Sequence, residues 1–161
     1  VETRRVGVLA TPATVASAAY SASIEALHPG ALVVEQACPA FVPLIESGDC
    51  SSDELRQVAK AYLAPLLAAS VETIVLGCTH YPLLIPLLKQ LLPDSIQLID
   101  PAIGVARQLD SVLGVPSAAT GGTLELWQCR FCVTADPDGF ADRATPWLGA
   151  RPEVHLQQLQ S

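Results

Sequence analysis

Apolar and polar positions fall into two alternating textures along this chain. Short β-branched runs of about five to eight residues end at turn residues, and longer stretches then repeat their apolar positions at helical spacing. RVGVLAT (5–11) has the first texture, and Thr11, Pro12 and Thr14 are helix-start residues ahead of the alanine-rich VASAAYSASIEAL (15–27). ALVVEQAC (31–38) predicts a second strand, after which Pro39, Pro43, Gly48 and the polar SGDCSS predict a long loop that includes Glu46. Ser51 and Glu54 have the spacing of a capping box, and Leu55, Val58, Ala59, Tyr62, Leu63, Leu66 and Leu67 recur down one face of a helix. TIVLGC (73–78) reads as a third strand, followed by an apolar helix through PLLIPLLKQLL, whose Pro86 is tolerable only in the first turn. IQLID (96–100) is a fourth strand, and Asp100 with Pro101 supplies an N-cap and a first-turn proline for a helix reaching about Leu113.

Strand and helix therefore alternate, which implies an α/β fold with a mainly parallel sheet and helices on both faces. All strand carboxyl ends then emerge along one edge, where open sheets of this kind bind ligands, and Thr11, Cys38, Cys78 and Asp100 belong to that edge. After Gly114 the texture changes. VPSAATGG reads as a connector, TLELWQCRFCVTA (123–135) as a lone long strand, and Asp136 with Pro137 as the cap of a final helix to about Leu148. Trp127, Phe131 and Val133 share one face of that strand, which a single strand and helix cannot bury. The expectation is a first unit over 1–114 and a C-terminal strand and helix over 115–161 that belong to an incomplete second domain.

Composition narrows the function. The chain has 161 residues, half of them apolar, which is ample for one core and marginal for two. Its net charge is -7 and its nine Lys and Arg are scattered, so nucleic acid and anionic membrane are poor partners. No apolar run reaches the roughly eighteen residues of a membrane span, and VETRRVGVLA lacks the apolar region of a signal peptide, so a cytoplasmic protein is expected. Five cysteines at uneven spacing argue for reduced thiols rather than a disulfide framework. There is no Met, and Val1 stands almost inside a strand pattern, which suggests a chain cut from something longer.

The sequence lacks GxGxxG, GxxxxGK, GxSxG and HExxH. Cys129 and Cys132 form one CxxC, yet residues three apart in a strand face opposite sides and no second Cys or His pair stands nearby, so packing is favoured over zinc. Cys38 and Cys50 have no adjacent base and read as small hydrophobes. Cys78 differs. It lies in GCTHYP at a strand end ahead of a helix start, where a helix dipole and the neighbouring His80 can lower a thiol pKa; the plainer reading is a core cysteine after a glycine turn. Glu46 by itself reads as a solvated loop carboxylate. Thr11 and Thr14 would serve as helix caps or as hydroxyl donors to a ligand carboxylate.

GCTHYPLL resembles the glutamate racemases of the aspartate/glutamate racemase superfamily, cofactor-independent enzymes that supply D-glutamate for peptidoglycan. The likeness extends to VGVLATPATVASAAY, VEQACPAFVPLIESG, LIDPAIGVA and FCVTADPDGFADRATPWLG, in the family's order and spacing. It implies a flavodoxin-like sheet, no cofactor, glutamate as the small-molecule partner and a possible homodimer. In that family two cysteines flank the substrate α-carbon on opposite faces. The resemblance makes Cys78 the thiol used against L-glutamate, His80 its assisting acid or base, Glu46 an assisting carboxylate, Thr79 a substrate contact, and Thr11 and Thr14 pocket hydroxyls. The family's Asp-Ser pair and Cys-Asn-Thr motif do not occur in this chain, which implies that the chain alone does not racemise. Rival readings are an aspartate racemase, a one-cysteine malonate decarboxylase of the same superfamily, and a catalytically silent binding domain.

Overall fold

The structure, a computed structural model, describes residues 4–48, 50, 52–114 and 126–159. In chain order its elements are β1 (Arg5–Ala10), α1 (Pro12–Ser17), α2 (Ala19–Leu27), β2 (Leu32–Ala37), α3 (Phe41–Glu46), α4 (Asp53–Ala68), β3 (Thr73–Gly77), a 3-10 turn (Tyr81–Leu84), α5 (Ile85–Leu91), β4 (Gln97–Ile99) and α6 (Pro101–Leu113). A second 3-10 turn (Leu126–Gln128), β5 (Phe131–Val133), α7 (Pro137–Leu148) and β6 (Val154–Leu156) follow.

The first four strands form one parallel sheet in the order β2-β1-β3-β4, the flavodoxin-like arrangement that the alternating pattern and the resemblance imply. Side chains alternate across such a sheet. Gly7 meets the Leu66 methyls of α4, at 3.1 Å from where a Cβ would stand, so Gly7 and Leu9 with Ile74 and Leu76 face α4. Gly77 meets Tyr20 of α2, which places Ala10 and Gly77 on the opposite face. Helices thus cover both sides. The larger core lies on the α4 face, where Leu55, Ala59, Leu63 and Leu66 are buried at successive helical turns against Leu9, Ile74 and Leu76. Each such leucine contributes about 2 kcal/mol of apolar burial. Leu67, at the edge of the stripe, is exposed.

Several boundaries differ from the sequence expectation. The first helix begins at Pro12 with Thr11 as its cap, as the helix-start residues imply, but it breaks at Ala18, whose φ of 51° is left-handed while its N–H bonds back to the Val15 carbonyl. The stretch carrying Glu46 is helix, not loop. Phe41 and Ile45 stand one turn apart and both are buried, and Pro43 falls in the first turn, where its missing N–H costs no intrahelical bond. The cap of α4 is Ser52, whose Oγ accepts from the Leu55 N–H at 3.2 Å; Ser51 lies outside the described residues. Pro86 does sit at the start of α5, but a 3-10 turn precedes that helix. Asp100 caps α6 through the Ala102 N–H, and Gly114 ends it.

The C-terminal strand is neither long nor alone. Its described part is a 3-10 turn and three strand residues, and β5 pairs in parallel with β6, Phe131 opposite Val154 and Val133 opposite Leu156. The short alternation in PEVHL carries too few residues to stand out as a strand until β5 offers it a partner. α7 bridges the two strands, capped by Asp136 as expected, with Phe140 against Phe131. Arg151 closes the unit onto Asp138 and Asp142 of α7. The connector, the start of the expected strand and the Trp127 side chain lie outside what is described. α6 buries none of its residues, and Ile103, Val105, Leu109, Val112 and Leu113 present an exposed apolar side.

Candidate active site

The two central strands create the site. The chain leaves β1 for β2 on one side and returns to β3 on the other, so the connections diverge between the carboxyl ends of β1 and β3. Such a switch point is where open α/β sheets form a crevice. Ala10 and Gly77 are the last paired residues of these strands, and the next two, Thr11 and Cys78, leave the sheet side by side. Gly77 allows this closeness, since a Cβ there would stand 2.9 Å from Tyr20 Cε2 and 3.1 Å from both the Ala10 Cβ and the Leu9 carbonyl oxygen.

Cys78 is half-buried, and its carbonyl accepts from the Tyr81 N–H at 3.1 Å, which folds Cys78, Thr79 and His80 into one tight turn. His80 Nε2 lies 3.1 Å from Glu46 Oε1, with the two side chains 35% and 50% exposed. The residue read as a solvated loop carboxylate is therefore the imidazole's partner, brought there by α3. Thr11 caps α1: its Oγ1 accepts from the Thr14 N–H at 3.3 Å and lies 2.9 Å from the Thr14 hydroxyl. The two threonines are joined as caps, beside the strand end that carries the thiol.

Cys38 leaves β2 along the same edge but is buried, with its S–H donating to the Gln36 carbonyl at 3.4 Å. Burial pushes this thiol up to about 12; a hydrogen bond involving the Ala10 backbone opposes the rise, and negative charge at Cys78 adds to it. Burial and then the Cys78 charge also raise the Tyr20 phenol. Tyr81 is raised by burial first, then by charge at Cys38, Cys78 and Tyr62. Three acids around Cys78 are thus held in their protonated forms. Tyr20 and Tyr81 were not singled out by sequence reasoning. Tyr81 directly follows His80, which is a usable signal, whereas Tyr20 reaches the site only through the sheet register and the break at Ala18.

A cavity of about 530 Å³ opens beside the thiol, lined by Tyr20, Cys78, Thr79, Asp100, Val105 and Leu109. A smaller one of about 170 Å³ borders Glu46 and His80, closed by Phe140, Arg143 and Trp147 of α7. Among the described residues, no three His, Cys, Asp or Glu side chains converge to hold a metal ion, and no helix is long and apolar enough to cross a membrane. What the arrangement offers is a solvent-reaching thiol, an adjoining imidazole–carboxylate pair and hydroxyl donors at one sheet edge.

A model of the Asp/Glu/Hydantoin racemase family matches residues 1–109. The glutamate racemase of Synechococcus sp. (strain CC9605) is 76% identical over 99% of this chain and 61% of its own length. That of Gloeobacter violaceus (strain ATCC 29082 / PCC 7421) is 47% identical over 97% of this chain and 57% of its own. The crystal structure of the Francisella tularensis glutamate racemase in complex with D-glutamate superposes with a TM-score of 0.79 at 31% identity, over 98% of this chain and 58% of that one. The Escherichia coli enzyme in complex with L-glutamate and the activator UDP-MurNAc-Ala gives 0.72 at 27% identity, over 97% and 59%. The chain thus spans about three-fifths of the length of these relatives.

Proposed function

The chain belongs to the Asp/Glu/Hydantoin racemase family, and from that premise we propose that it supplies one proton-transfer face of a glutamate racemase. The observation that carries this reading is the thiol at the β1–β3 switch point, one turn from an imidazole that Glu46 holds at 3.1 Å. Cys78, as thiolate, takes the α-proton of L-glutamate: the C–H bond breaks, S–H forms, and the electron pair spreads into the α-carboxylate. Hydroxyl donors at Thr11, Thr14 and Thr79 meet the carboxylate where its charge grows. His80, oriented by Glu46, exchanges protons with the sulfur or the substrate.

Inversion needs a second acid on the opposite face of the α-carbon. Cys38 does not qualify, because it is buried and its S–H is already engaged with the Gln36 carbonyl. On this reading residues 1–114 form the second α/β domain of the racemase fold and 115–161 pack with polypeptide that this chain does not contain. The setting is cytoplasmic, the product serves peptidoglycan synthesis, and self-association is as a homodimer.

The test uses the purified chain with L-glutamate in heavy water, following α-proton exchange and optical rotation. Exchange without inversion, lost in Cys78→Ser, is the expected result. Racemisation at an ordinary enzymatic rate would show that one thiol suffices. Exchange on aspartate or decarboxylation of an arylmalonate, with none on glutamate, would move the chain elsewhere in the family.

A further inference from the structure

The Glu46–His80 pair joins two segments that are far apart in sequence, and the structure shows what fixes their separation. Tyr81 is fully buried directly after His80, and its hydroxyl donates to the Cys38 carbonyl at 3.1 Å, at the start of the turn into α3. Two residues on, the Ala40 N–H donates to the Tyr62 hydroxyl at 3.3 Å, so tyrosines from two different elements hold the backbone of one turn. Between them lies the Phe41 ring, edge-on to both: 5.1 Å and 82° from Tyr62, 5.2 Å and 85° from Tyr81. Phe41 opens the six-residue helix that ends at Glu46.

We propose that Tyr81, through its hydrogen bond to the Cys38 carbonyl and its edge contact with Phe41, is a positioning residue that sets Glu46 against His80. The Cys38 carbonyl lies in the buried interior, and a short helix with no side-chain N-cap depends on such anchors for its orientation. Tyr81 is fully enclosed and has no surface to offer a substrate. It acts through α3 on Glu46, and through Glu46 on the imidazole.

This inference rests on the reading of Glu46 and His80 as site residues, but its test does not need activity. The ring-nitrogen signals of His80 are read by NMR in the full chain with 15N-labelled histidine, with His28 and His155 as internal references. Glu46→Gln moves the His80 signals by removing the charged acceptor. Tyr81→Phe, which keeps the ring and removes only the hydroxyl, is expected to reproduce most of that shift, and Glu46→Gln added to it should then change little. If Tyr81→Phe does not fold, Tyr62→Phe is read the same way from the other side of Phe41. His80 signals unmoved by the tyrosine change, with the full Glu46→Gln shift retained, would overturn the proposal. Where α-proton exchange on glutamate is measurable, Tyr81→Phe should lower its maximal rate about tenfold or more while KM stays within about twofold. Loss of exchange in the parent chain with the NMR coupling intact would count against the racemase reading and leave the positioning role standing.

Discussion

Gly77→Ala adds one methyl group at the most crowded point of the sheet edge. The new carbon would stand 2.9 Å from Tyr20 Cε2, 3.1 Å from the Ala10 Cβ and 3.1 Å from the Leu9 carbonyl oxygen. Carbon atoms in favourable contact are about 3.5–4.0 Å apart, so all three neighbours are too close. The Tyr20 ring can swing outward. Leu9 and Ala10 cannot, because they belong to a central strand held in register on both sides. Overpacking of this kind costs about 1–3 kcal/mol, and replacing a strand glycine returns about 0.5–1 kcal/mol of backbone entropy. The net loss is about 1–2 kcal/mol, a drop of roughly 0.5–1 M in the urea midpoint at an unchanged slope.

The same substitution at Gly104 is the control, since that helical position in α6 has nothing within 4 Å of its would-be Cβ. There alanine should stabilise by about 1 kcal/mol. Tyr20→Ala introduced with Gly77→Ala relieves only the closest of the three contacts and should recover part of the loss. Equal gains at both glycines would refute the reasoning, because they would mean that the edge beside Cys78 has room to spare.

Two further outcomes follow from the scaffold. The Cys38 thiol, near 9 in an unfolded chain and up to about 12 in the fold, keeps a proton that the unfolded chain gives up. Its contribution is therefore complete below about pH 9 and is lost as pH rises toward about 12, at up to about 1.4 kcal/mol per pH unit. Thermal melts of Cys38→Ala should show a shallower alkaline fall in Tm than the parent chain; parallel curves would contradict it. Ser52→Ala should lower stability by about 1 kcal/mol through loss of the α4 cap, with Ser52→Asp retaining most of it, and an unchanged midpoint would return the cap to Ser51.

The parts of this fold that were legible in the sequence are those where local pattern and burial agree. RVGVLAT and TIVLGC are strands because their apolar runs fill the centre of the sheet, Gly7 to Ala10 buried throughout and Ile74 and Leu76 buried on the α4 face, and the Leu55 to Leu66 stripe is the buried side of α4. Pro86 and Pro101 sit where proline is tolerated, and Asp100 caps as its position suggests. What escaped local reading was decided by partners. α3 hides behind Pro43 and the polar residues after it, and forms because Phe41 finds two tyrosines. The break at Ala18 carries no signal, since alanine is an ordinary helix former and an unusual occupant of the left-handed region. The site divides in the same way. Cys78, Thr79 and His80 are contiguous and could be read together, whereas the pairing of His80 with Glu46 depends on the packing of α3.

The burial gradient across the site bears on what chemistry this surface can support. Beneath the turn, Tyr81, Phe41, Ile45 and Leu84 are fully or almost fully enclosed, so the backbone that carries the thiol is held rigidly. Above it, His80 and Glu46 are open to water and α6 presents an uncovered apolar side next to the cavity at Cys78. Cys38, Tyr20 and Tyr81 keep their protons through the neutral range, so none of them competes with Cys78 as a base. Removing a weakly acidic α-proton gains most when water is excluded around the growing charge, because donors in a dry site act at low dielectric. A rigid thiol edge that faces solvent supplies alignment without that exclusion. On the proposed reading, covering this edge with a second protein surface should therefore accelerate exchange at Cys78 more than any substitution within the chain, as well as bring the acid that completes inversion.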